Sequence, residues 1–178
     1  MLLDFYRRIA LALVCLMLAG CASAPGYRFV DPGYEDTRYD GFIAYAAFTD
    51  LAIEAAFEHA LCKRLYAAGH ACTTMLDVAP PTREQDGASR HAASRANGAQ
   101  ASIVIELADM DSVSRRVIGH ARPAYNVRVV DNADQRVAVQ LAIESPAGTR
   151  GTVSQQADVL ARQIVAALDQ AALLFQRP

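Results

Sequence analysis

The sequence predicts one α/β (or α+β) domain, a single mixed-sheet sandwich following an apolar N-terminal leader. Three observations lead there. Ala101 to Leu107 (ASIVIEL) is β-branched and apolar on both faces, the mark of a central strand covered by helices. Two longer stretches carry apolar residues at helical spacing, one closing at Gly69 and one opening at Thr152 with Gln155. The chain has 178 residues, 53% of them hydrophobic, and shows no repeat or low-complexity run, which is enough for one core and too little for several. The expected order is β-α-β-α-β-β-β-β-α.

Taken from its start, the chain opens with Met1 to Arg8, carrying Arg7 and Arg8 against Asp4. Ile9 to Leu18 (IALALVCLML) is an uncharged apolar run, too short to span a hydrocarbon core of about 30 Å as a helix. It shows no polar face, unlike a core helix at a domain surface. Leu18-Ala19-Gly20-Cys21 follows, small residues leading to a cysteine. This resembles the lipobox of bacterial lipoproteins. The resemblance implies that residues 1–20 are a signal peptide cut before Cys21. It also implies a diacylglyceryl group on the Cys21 thiol and a fatty acid such as palmitate on the new amino terminus. The membrane relation then changes from spanning to anchored, since one buried chain binds only marginally but three hold firmly, at about 0.8 kcal/mol per CH₂. Ala22, in place of Asp after the cysteine, implies the outer membrane and its periplasmic face. The covalent lipid on Cys21 is the only attached group expected, with no cofactor.

Residues 21–40 read as the lipidated cysteine and a tether, punctuated by Pro25, Gly26, Pro32 and Gly33 without a period of 2 or 3.6. Tyr27, Phe29, Val30, Tyr34 and Tyr39 are apolar for a free linker. Part of the stretch either lies against the domain or forms an aromatic binding strip.

The domain is placed at 41–178. Phe42–Phe48 reads as a buried strand, then Thr49 or Asp50 caps a helix with Ile53, Ala56, Phe57, Ala60, Leu61 and Leu65 inward. Glu54, Glu58, Lys63 and Arg64 are assigned to its outer face. Ala71–Val78 reads as a second strand, Gly87 to Asn97 as a helix, Ala101–Leu107 as the central strand. Val113–His120 and Ala124–Asp131 alternate and are expected to pair. Arg136–Glu144 places Val137, Val139, Leu141 and Ile143 on one face. The last helix buries Leu160, Ile164, Leu168, Ala171 and Phe175. Right-handed crossovers then order the first three strands 2-1-3, with antiparallel strands extending one end.

The layout of Phe42–Phe48, Leu65-Tyr66-Ala67-Ala68-Gly69, Asn97-Gly98-Ala99 and Ser102–Leu107 resembles a group of uncharacterised bacterial lipoproteins. It is similar, too, to the periplasmic domains of curli-secretion and penicillin-binding-protein-activator lipoproteins and to the N-terminal domain of the Tol-system propeller protein. The resemblance covers roughly 29–174. It implies envelope assembly or maintenance through protein contacts or self-assembly, and supplies no catalytic residues.

Charge narrows the classes further. Taking the leader's two arginines and one aspartate from 17 basic and 19 acidic side chains leaves a net −3, against a nucleic-acid partner. Cys62 and Cys72 sit near the end of the first helix and on the returning strand. In an oxidising periplasm they are either a disulfide or two small buried thiols. His59 and His70 complete a conceivable metal quartet with them, but the spacings match no zinc signature, and no metal is expected. Ser89 and Ser94 near His91, and Ser112 and Ser114 near Asp109 and Asp111, are short-range coincidences without a nucleophile elbow or a phosphate loop. Glu106, Asp109 and Asp111 read as a solvated strand end. No enzyme is expected. Arg115, Arg116, His120 and Arg122 form the best candidate partner patch. The alternative function class is a small-molecule or metal-binding lipoprotein.

Overall fold

The computed structural model describes residues 27–108, 124–144 and 151–176. Six strands form one mixed sheet: β1 (Tyr27–Val30), β2 (Gly41–Ala46), β3 (Ala71–Thr74), β4 (Ala101–Leu107), β5 (Ala124–Asp131) and β6 (Val137–Glu144), in the spatial order β1-β6-β5-β4-β2-β3. Strands β3, β2 and β4 run parallel, and β5, β6 and β1 extend the sheet antiparallel. The helices are α1 (Leu51–Ala67), α2 (Met75–Val78), α3 (Gly87–Ala96) and α4 (Val153–Gln170). The α/β layout and the 2-1-3 order of the parallel strands are those expected from the sequence.

The local signals act as anticipated at most ends. The Asp50 carboxylate accepts the Ala52 and Ile53 amides at the start of α1, and Gly69 ends it at φ +91°, where a side chain would be strained. Thr152 and Gln155 form a reciprocal capping box on α4. Leu160, Ile164 and Leu168 on α4 join Phe57, Leu61 and Leu65 of α1 in one core. That core also takes Phe42, Ala44, Ile103, Ile105, Val127, Val129, Leu141 and Ile143 from the sheet. Arg64 of α1 clamps Asp158 of α4 with Nε and Nη2, at 2.7–2.9 Å.

Several expectations fail for identifiable reasons. Ala71–Val78 is not one strand: Thr74 caps a single helical turn by accepting the Asp77 amide, so β3 stops there. Both edges of β5 are taken, by β4 and β6, which leaves none for a partner strand at Val113–His120, itself outside the described residues. A bulge between Val129 and Val130 puts Ala138 in the core and turns Val137 to the other face. Phe175 lies past the end of α4 and is 46% exposed.

The stretch taken as tether contributes an edge strand. β1 pairs with β6, and the Asp31 amide donates to the Ala138 carbonyl. Tyr34 and Tyr39 are buried, donating their hydroxyls to Asp134 and Asp131 respectively. The Asp134 bond holds the Tyr34 hydroxyl up at about 12, and burial followed by the Asp131 bond raises that of Tyr39.

Candidate functional site: the open half of the sheet

Alternation along the strands sends side chains to two unlike faces. The face described above is dry. On the opposite face, among the described residues, α2 and α3 cover the β2–β3 end, packing Met75, Val78, Ala79 and Ala93 on Ile43 and Tyr45, and α3 reaches as far as Ser102 of β4. Over β4, β5, β6 and β1 that face presents Val104, Glu106, Asn126, Arg128, Val130, Gln140, Ala142, Tyr27 and Phe29, all half-buried or exposed.

Where α3 ends and the open surface begins lies a groove of about 380 Å³. Val104, Val130 and Val137 give it an apolar floor, Arg90 and His91 of α3 one wall. The Arg90 guanidinium lies over the Tyr45 ring, 5.1 Å from its centroid. Arg128 pairs with Glu106 at 2.6 Å, both partly exposed, while its Nε is buried without an acceptor. The far end is closed by a satisfied network. Ser102 Oγ donates to Asn132 Oδ1 at 2.8 Å, Asn132 Nδ2 donates to the Ala99 carbonyl at 2.9 Å, and His91 Nε2 contacts the Asn132 carbonyl at 3.0 Å. The groove thus combines an apolar floor with a few charged groups held at fixed positions.

The sequence-assigned residues scatter. Cys62 and Cys72 form a disulfide, with Cα atoms 5.1 Å apart. That occupies both sulfurs and dissolves the quartet with His59 and His70. His59 Nδ1 turns back to the Ala55 carbonyl at 2.7 Å. His70 is buried beside Asp40 at 3.2 Å. Among the described residues no three His, Cys, Asp or Glu side chains cluster as metal ligands. Ser89 serves the capping box of α3 with Asp86, and Ser94 bonds the Arg90 carbonyl, so neither faces His91 as a base. Cys21, Asp109, Asp111, Ser112, Ser114, Arg115, Arg116, His120 and Arg122 lie outside the described residues.

The sequence reading misplaced one pair. Glu54 and Glu58, assigned to solvent, are both buried, Glu58 completely. Glu58 accepts the Ala46 amide with Oε1 and the Leu76 amide with Oε2, each at 3.1 Å, tying the end of β2 to the start of α2. Burial pushes its carboxyl up to about 8 despite those amides, and burial raises Glu54 as well.

No protein-family profile matches the chain, and no curated protein does. Among solved structures it is similar to the PelC dodecamer from Paraburkholderia phytofirmans, at 13% identity over 84% of this chain and 97% of that one, TM-score 0.49. Lipoprotein GNA1162 from Neisseria meningitidis gives 12% identity over 75% and 96%, TM-score 0.44. TolB from Acinetobacter baumannii gives 13% over 81% of this chain and 31% of that one, TM-score 0.42. No described helix is long and apolar enough to cross a membrane.

Proposed function

We propose that the chain is a lipid-anchored protein of the outer membrane's periplasmic face that serves envelope assembly or maintenance by binding a protein partner, without catalysis. The lipobox at Leu18–Cys21 supports the address. The observation that carries the binding role is the unequal covering of the sheet. One face is sealed by α1 and α4. The other, among the described residues, has helices over its β2–β3 end and Ser102 of β4, and elsewhere presents half-buried valines and an Arg128–Glu106 pair.

The address is tested by Cys21→Ser, which should abolish incorporation of labelled fatty acid, because serine lacks the thiol that is alkylated. A variant that still takes up label contradicts it. The binding role is tested by photo-crosslinking in intact cells, with a reactive residue at Val104 or Arg128 and a control at exposed Arg162 on α4. Discrete adducts from the first two and none from Arg162 are expected. No adduct from Val104 or Arg128 would contradict a partner on this face.

A further inference from the structure

We infer that the β1 edge of the open face rests on the bilayer interface, with Tyr27 and Phe29 as its contacts. The inference relies on the lipid anchor at Cys21. Tyr27 stands six positions after Cys21, and six residues span at most about 20 Å when fully extended. An anchored chain therefore keeps the start of β1 within about 20 Å of the lipidated cysteine, so that β1 can reach the headgroups.

The aromatics of this stretch divide into two kinds. Tyr34 and Tyr39 are 7% and 2% exposed and bonded to acids of the domain. Tyr27 and Phe29 are 60% and 50% exposed. They pair with Ala142 and Gln140 of β6, so both point to the open face. Facing water, two large rings on a sheet edge gain nothing from burial. At a membrane–water interface such rings find the amphipathic layer they favour. β1 is the last strand of the sheet, so its outer edge meets no other described strand and does not separate the rings from the membrane. The occupant is the lipid surface because the anchor's reach ends there.

The chain has no tryptophan, so one introduced here is a lone reporter. Acylated full-length mature protein carrying Phe29→Trp would be placed in vesicles of phosphatidylethanolamine and phosphatidylglycerol brominated high on the acyl chains. The control is Tyr66→Trp, exposed on α1 next to β3 at the opposite edge of the sheet. Flotation and intact mass on the same samples report anchoring. Expected is a blue-shifted emission losing at least about half its intensity at position 29, with little loss at 66. Anchored protein with no quenching at 29, or with equal quenching at both sites, overturns the inference while the anchor stands. Protein without acyl chains that fails to float overturns the anchor and the inference together.

Discussion

The two faces of the sheet are built from the same strands and are unlike in burial and polarity. On the α1–α4 side nearly every inward residue is aliphatic or aromatic, and Ile103, Val127, Leu141 and Ile164 have no accessible surface. On the other side the same strands alternate Val104 with Glu106, Arg128 with Val130, and Gln140 with Ala142. Apolar area removed from water stabilises by about 25 cal/mol per Å², so stability is concentrated on the first face. The second contributes less to stability, which fits the partner binding proposed for it.

Substitution tests that division most severely at Ile164. Ile164→Asp would bury a carboxylate with no cationic partner among its aliphatic neighbours, a cost of several kcal/mol against a total of about 5–15. Thermal melts of lipid-free protein should show most of the stability gone. Gln163→Asp beside it and Val104→Asp on the open face should each cost about 1 kcal/mol or less. Comparable losses at Ile164 and Val104 would erase the distinction between faces.

Glu58 gives the next largest effect, through pH. Its carboxyl sits at about 8 in the fold against an ordinary 4.5, so the folded state holds a proton that the unfolded chain releases. The sign follows: this contribution is full below about 4.5 and is lost as pH rises through about 8, a swing of about 3–5 kcal/mol. The melting temperature should fall between pH 5 and pH 8.5, and Glu58→Gln should flatten that slope. An unchanged slope in the variant would remove Glu58 as its source.

The disulfide follows in size. Cys62 and Cys72 are 10 residues apart, and closing so small a loop stabilises by about 2–3 kcal/mol in the chain-entropy model. Thiol counting under denaturing, non-reducing conditions should find neither cysteine reactive. Two free thiols on exported protein would contradict the bridge.

The dry face was legible in the sequence because the apolar run ASIVIEL and the spacing of four in Leu160, Ile164 and Leu168 are strong signals, but the run's reading as covered on both faces fails at Val104 and Glu106, which are only half-buried. The parallel order followed from the handedness of crossovers. Glu58 was not legible, because a carboxylate at a helix position looks the same whether it meets water or two backbone amides. The bulge at Val129–Val130 was equally silent, so Val137 was assigned to the wrong side. β1 was missed because its four residues, Tyr27–Val30, carry too little periodicity, and the ladder with β6 decides the matter instead. The open face could not be read at all. It depends on α3 covering β2 and stopping short of β5, a fact of tertiary placement.

The most direct measurement compares hydroxyl-radical footprints of the acylated protein in native envelopes and after purification into detergent. If the open face is the working face, Val104, Arg128 and Val130 should be protected in the envelope and exposed after purification, while Arg162 on α4 reacts equally in both. Protection at Arg162 with none at Val104 or Arg128 would contradict the account.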